Sequence, residues 1–220
     1  MSSKPQPCIY VLAGVNGAGK SSIAGAAFRQ QGGEYYNPDE VALRRIVADP
    51  RRSQVDANAE AWREGVRLLE RAIEKRSDFA FETTLGANTI PRLLAQAASV
   101  GIEIYVWYAG LSSPELHIER VRNRVRRGGH DIPEEHIRHR YEHSRLNLIH
   151  LLPSLTALRV YDNSINGDPA AGMMPKPQLV LQMEKGKILN PRDLSSTPGW
   201  AKPIVAAAMK VSLGWIPSPP

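Results

Sequence analysis

The sequence predicts an α/β protein of three layers, a mainly parallel five-stranded sheet between helices with a helical lid over one edge. Short apolar, β-branched and aromatic runs at residues 8–13, 79–85, 102–108 and 158–161 alternate with stretches of helical pattern, the order that builds parallel sheets. The first run breaks into a glycine loop, Gly14 to Gly19, that leads straight into an Ala-rich helical stretch. At 220 residues, 42% hydrophobic and 23% charged, the chain is long enough for one sizeable domain and too short for two complete ones.

Each element follows from its residues. Residues 1–7 are a polar lead-in, and 8–13 read as a strand buried on both faces. A helix over 20–30 is stopped by Gly32 and Gly33, and 34–37 form a second short strand. In residues 54–77 the spacing of Trp62, Val66, Leu69 and Ile73 places one apolar stripe on a helix, with Arg63, Glu70 and Lys75 outside it, so this helix should pack on the sheet. The strands at 79–85 and 102–108 are joined by a crossover helix at 89–99. A helix over 113–127 has Ser112 or Ser113 as its N-cap and Gly128-Gly129 as its stop, and Pro133 opens the next, over 134–150. The last core strand is 158–161, and Gly, Pro and Met crowd 167–177 into a loop. We therefore divide the chain into a core domain, 1–166, and an extension, 167–220. The extension carries a hairpin, 178–183 and 187–189 around Glu184-Lys185-Gly186, and a short helix within 198–214, both packed on the core.

A formal charge of +6 and a pI near 9.6 point to an anionic partner without choosing among nucleic acid, lipid and phosphorylated small molecules. The single cysteine, Cys8, excludes an intrachain disulfide framework and a Cys-rich zinc module and fits a reducing compartment. The apolar run at 9–13 is too short to span a bilayer, and 201–215 is interrupted by Lys202, Pro203 and Lys210, so the expected location is the cytoplasm.

Gly14-Val15-Asn16-Gly17-Ala18-Gly19-Lys20-Ser21 satisfies G-x-x-x-x-G-K-[ST] between a buried strand and a helix start, where a phosphate loop works. Backbone N–H groups from Gly14, Asn16, Gly17, Ala18 and Gly19 to Ser22 then face the β-phosphate, Lys20 bridges β and γ oxygens, and the Ser21 hydroxyl ligates Mg²⁺. The alternative is a tight turn that binds nothing. A phosphate loop alone does not separate a kinase from a GTPase or a motor.

Asn37-Pro38-Asp39 closes the second strand on the same edge of the sheet, which suits Asp39 to accept a proton from an attacking hydroxyl; Asn37 or Asp39 could equally cap the following helix. Glu82, followed by Thr83 and Thr84 at the end of a core strand, fits a carboxylate beside Mg²⁺ or the acceptor, with the hydroxyls touching substrate; this reading ranks above satisfaction by neighbouring helix termini. Residues 119–127 hold five arginines in nine positions, with Arg120, Arg124 and Arg127 on one face, placed to neutralise a transferring phosphoryl group. Arg120 and Arg124 rank first, then Arg127, Arg138 and Arg140; a solvated basic face is the competing reading. The glycine turn between the two helices would let them close as a lid. His136, His139 and His143 share a helical face, yet lack a Cys or carboxylate to complete a zinc set.

The glycine loop, Asn37-Pro38-Asp39 followed by Arg44 and Arg45, Phe81-Glu82-Thr83-Thr84-Leu85, and the run from Arg124 through Gly128-Gly129-His130-Asp131-Ile132-Pro133 to Arg140-Tyr141 together resemble the zeta toxin family of P-loop kinases, over residues 8–165. The resemblance implies ATP or GTP as donor, Mg²⁺, and transfer to a hydroxyl of UDP-N-acetylglucosamine. It makes Lys20 and Ser21 the nucleotide and Mg²⁺ residues, Asp39 the base, and Glu82, Thr83, Thr84 and Arg44 the acceptor side. Arginines of the lid, Arg127 and Arg140 among them, would contact the γ-phosphate. With seven residues ahead of the first strand, an antitoxin is expected as a separate chain or not at all. Other readings are a kinase for another metabolite or a nucleic-acid end, and a noncatalytic nucleotide-dependent protein that binds nucleic acid. Aromatic residues are 6% and none interleaves with the arginines, so a single-strand stacking surface is not expected.

Overall fold

The structure, a computed structural model, describes residues 6–20, 23, 35–165, 177–191 and 194–215. Along them run β1 (Cys8–Ala13), β2 (Tyr35–Tyr36), α1 (Pro38–Ala48), α2 (Gln54–Lys75), β3 (Phe79–Thr83), α3 (Thr89–Ser99), β4 (Glu103–Gly110), α4 (Pro114–Arg126), α5 (Glu134–Leu151), β5 (Ala157–Asp162), β6 (Gln178–Glu184), β7 (Lys187–Asn190) and α6 (Lys202–Ser212). Ser21, Ser22, most of the helix expected over 20–30 and all but the last residue of the loop expected over 167–177 lie outside the described residues.

The strands form one sheet in the order β2-β3-β1-β4-β5-β6-β7. The first five are parallel, as the alternation of runs requires. The sheet is nevertheless wider than the expected five strands, because the hairpin does not lie on the core but continues it: β6 pairs antiparallel with β5 from Ala157 opposite Glu184 to Asp162 opposite Gln178, and β7 pairs with β6. The cause lies in β5. Leu158 and Val160 are fully buried, and a free edge beside them would leave backbone donors and acceptors unpaired next to apolar packing.

Apolar residues on both faces of β1 suit it to the middle of the five parallel strands. Ile9 and Val11 face a core shared with Leu69 of α2, Leu94 of α3, Ile104 of β4 and Leu148 of α5, while Leu12 faces the other layer. Full burial of each such side chain contributes about 1.5–3 kcal/mol. The same core takes in Trp200, Ile204, Val205 and Ala208 from the C-terminal segment, and the Trp200 ring lies so close on Gly110 that no Cβ fits there. β1 has β3 on one side and β4 on the other, so it is the point at which the order reverses, and the loop after it opens at the carboxyl edge where α/β sheets bind ligands.

Of the two serines offered as caps, Ser113 takes the role, its Oγ accepting from Leu116 N at 3.3 Å, with Pro114 in the first helical turn. Gly128, at φ 88°, ends the turn after α4. Among the described residues no helix is long and apolar enough to cross a membrane.

Candidate active site

The loop after β1 has the backbone that phosphate binding requires. Gly14, Gly17 and Gly19 have φ of 140°, 83° and 77°, values that side chains rarely adopt. Gly14 also lies against the Ala109 carbonyl, and a Cβ on Gly17 would meet the His117 carbonyl oxygen at 2.8 Å, so both positions are closed to larger residues by contact as well as by conformation. Lys20 Nζ donates to the Gly14 carbonyl at 3.0 Å and stands 4.0 Å from Glu82 Oε2. Ala18 gives its carbonyl to Asn163 Nδ2 at 2.9 Å.

Asn16 is gripped from both lid helices. His117 Nδ1, on α4, donates to its carbonyl at 2.8 Å, and Arg140 Nη1, on α5, donates to its Oδ1 at 2.7 Å. Neither His117 nor this use of Arg140 was foreseen from sequence. The signal was the face of α5 on which Ile137, Tyr141, Ser144 and Leu148 are buried, since Arg140 adjoins it. Burial pulls the Arg140 guanidinium below its usual value, against the opposing pull of the Asp39 carboxylate.

Burial pushes the His117 imidazole down to about 4, only partly offset by its bond to Asn16. The unfolded chain takes up this proton near 6.5, so the stability His117 contributes is complete above that pH and is lost as pH falls toward 4. The loss is about 3 kcal/mol. Urea unfolding at pH 7 and pH 4.5 should show a markedly smaller fall for His117→Gln than for the parent; equal falls would contradict the assignment.

Asp39 stands in the first turn of α1. The cap is Asn37, whose Oδ1 accepts from Asp39 N at 3.0 Å and Glu40 N at 3.4 Å, so the Asp39 carboxylate is not used for capping. It is 46% exposed and faces His130, with Nε2 4.0 Å from Oδ1. Two contacts fix the helix that carries it. Arg45 bridges Glu60 and Glu64 of α2 at 2.5 Å each, and Tyr36 at the end of β2 donates to the Ala61 carbonyl at 2.5 Å, its ring lying against Gly65.

Glu82 ends β3 inside a cluster of donors: Tyr35 OH and Asn37 Nδ2, the latter at 3.2 Å, both reach Oε1. Thr83 gives its carbonyl to Gly14 N at 3.1 Å, and the Thr83 and Thr84 hydroxyls accept from Leu85 N and Gly86 N at 3.1 and 3.4 Å. Leu85 is held at φ 53°, a strained value for leucine, by its burial and by Asn147 Nδ2 on its carbonyl at 2.7 Å.

These groups meet in a cleft of about 160 Å³ lined by Asn16, Asp39, Glu82, Thr83, Thr84 and Arg140, with Tyr36, Trp62, Phe81 and Ile132 as its apolar wall and Asn58 at its rim. Trp62 was expected to pack on the sheet and is instead 45% exposed at this cleft. The N-terminal part of α2 packs on α1, Ala57 and Ala61 against Ala42, and spacing does not reveal which neighbour each stretch of a stripe meets. The other arginines are placed differently from Arg140. Arg120 Nη2 donates to the Asn163 carbonyl at 2.8 Å, and Arg124 Nη2 to the His130 carbonyl at 3.1 Å. Arg138 pairs with Glu115 at 2.6 Å across the outside of the lid, while Arg127 and Arg44 are exposed and do not line the cleft. His139 and His143 stack on each other with ring centroids 3.8 Å apart.

Comparison with known proteins bears on the fold and the family. The chain is 30% identical over 129 residues to an uncharacterized protein of Haemophilus influenzae, a stretch covering 58% of this chain and 88% of that one. Its fold matches a chain of the crystal structure of AvrRxo1-ORF1:-ORF2 with ATP, with a TM-score of 0.65, 15% identity and 92% of this chain covered; this chain spans only 64% of that one. It also matches a structure from the PezAT chromosomal toxin-antitoxin system of Streptococcus pneumoniae, with a TM-score of 0.55, 14% identity, and 99% and 82% of the two chains covered. The model of the Zeta toxin family matches residues 1–165, from the lead-in through the phosphate loop, the Asp39 helix and the lid to the end of β5, and the chain belongs to that family.

Proposed function

We propose that the chain is an ATP-dependent small-molecule kinase that transfers the γ-phosphoryl group to a hydroxyl of a nucleotide sugar such as UDP-N-acetylglucosamine. The observation that carries this reading is one cleft lined both by the phosphate loop, at Asn16, and by a carboxylate not engaged in capping its helix, Asp39. A nucleotide switch needs the loop; an acceptor site with its own carboxylates, hydroxyls and apolar wall belongs to group transfer.

In this reading the loop N–H groups hold the β-phosphate and Lys20 exchanges the Gly14 carbonyl for β and γ oxygens. Asp39 takes the proton of the acceptor hydroxyl as its oxygen bonds to the γ-phosphorus and the bond to ADP breaks. Arg140 leaves Asn16 for the developing charge. The donor set suits Mg²⁺, which favours oxygen ligands: Ser21 would hold it, and Glu82, whose Oε1 is engaged by Tyr35 and Asn37 and whose Oε2 stands 4.0 Å from Lys20 Nζ, would lend it a nearby carboxylate. When bound, the ion neutralises charge on the transferring group. ATP as donor is supported by the AvrRxo1-ORF1:-ORF2 structure solved with it, and a separate antitoxin chain by the PezAT system.

Incubation with γ-labelled ATP and a panel of nucleotide sugars, dinucleotides and oligonucleotides tests the reading. Label is expected on UDP-N-acetylglucosamine or a close relative. Hydrolysis of ATP with no labelled acceptor in the panel would defeat it.

A further inference from the structure

We propose that His130 is a positioning residue for Asp39, joining the turn between α4 and α5 to the carboxylate at the start of α1, so that lid closure and orientation of the base are a single event. The proposal rests on the reading of Asp39 as the base.

The turn is built around this side chain. Arg124 lies across Gly129, where a Cβ would meet its Cγ at 2.6 Å, and donates to the His130 carbonyl. On the other side Asp131 Oδ1 accepts from Ile132 N at 2.8 Å, and Ile132 is buried among Val15, Ile118, Val121 and Ile137. Held at both ends, the His130 ring is mostly buried, its side chain 18% exposed, and its Nε2 is the lid atom that confronts Asp39 Oδ1, at 4.0 Å. Closing that gap to a hydrogen bond takes about 1 Å, the kind of tightening that catalytic contacts undergo when substrate arrives.

The charges around the ring set its state. Asp39 faces it from α1, Arg124 from α4 and Asp131 from its own turn, while Arg140 faces Asp39 from α5. Burial lowers the imidazole below its ordinary value, and the Asp39 carboxylate opposes this. At neutral pH the ring is therefore neutral. A neutral Nε2–H orients a carboxylate by hydrogen bonding, whereas an imidazolium would form an ion pair that weakens it as a base. Nε2 also lies 3.4 Å from Arg124 Nη2, so it serves one partner at a time: accepting from Arg124 in one tautomer, donating to Asp39 in the other.

Imidazole NMR titration of the full chain tests the contact without any assay of activity, with His130→Gln assigning the resonance. In Asp39→Asn the His130 midpoint is expected to fall by about half a unit or more, since a group that favours the charged ring has been removed. An unchanged midpoint overturns the proposal. In the transfer assay His130→Ala should lower kcat about tenfold with KM for ATP within about twofold, and His130→Gln, which keeps an N–H donor, should recover most of the rate while losing the imidazole limb of the pH profile. Unchanged kcat in His130→Ala overturns the positioning role even if the titrations are coupled. A parent protein that transfers no phosphate fails the kinase reading, and the NMR arm still decides the contact.

Discussion

Asp39→Asn is expected to bind ATP within about twofold of the parent and to transfer phosphate about 10²–10⁴-fold more slowly, the range by which a positioned base accelerates such a step. The substitution is nearly isosteric. It leaves the cap of α1 intact, because Asn37 accepts from the Asp39 and Glu40 N–H groups, and it leaves the Arg45 bridge to Glu60 and Glu64 untouched. It does remove one acidic group from the first turn, a loss of about 0.3–1 kcal/mol that thermal melting would register as a small change. Isothermal titration with a nonhydrolysable ATP analogue, beside the labelled-transfer assay, separates binding from chemistry. Retained transfer would reduce Asp39 to an ordinary first-turn acid.

Lys20→Ala is expected to abolish detectable transfer and to weaken ATP binding strongly, with the fold preserved. Among the described residues Nζ donates to the Gly14 carbonyl and approaches Glu82 to 4.0 Å, and Lys20 is not part of the apolar core. Its loss leaves Glu82 with Tyr35 and Asn37 as donors, so the carboxylate is not stranded. Equilibrium unfolding should therefore differ by no more than about 1 kcal/mol, the net worth of an ordinary hydrogen bond. Nucleotide turnover at the parent rate would show that the loop is not the donor site. The two variants report different roles, donor binding and proton removal, since only Asp39→Asn is expected to keep ATP.

Much of this was legible in the sequence because the relevant physics is local. A buried apolar run followed by glycines and Lys-Ser specifies strand, phosphate loop and helix start within fourteen residues, 8–21. The stop at Gly128-Gly129 and the start at Pro133 likewise depend on near neighbours. What was not legible depends on contacts far apart in the chain. Helical spacing put Arg120 and Arg124 on a plausible face but gave no sign of the carbonyls they hold, those of Asn163 and His130. Arg140 ranked behind them, yet its partner is 124 residues away in the phosphate loop. The extra width of the sheet escaped notice for a related reason: a hairpin read in isolation has no address until the unpaired flank of β5 supplies one.

The seat of Trp200 on Gly110 gives the last segment of the chain a bearing on the first. Gly110 follows Ala109, whose carbonyl backs Gly14, so the floor beneath the phosphate loop is wedged from behind by a ring contributed some ninety residues later. That ring lies beyond the 1–165 span matched by the family model. The tryptophan and the missing side chain at 110 are complementary shapes and should have been inherited together. Among relatives, a bulkier residue at the end of the fourth strand should coincide with a different C-terminal tail, which makes the pair a marker for sorting the branches that share this ending.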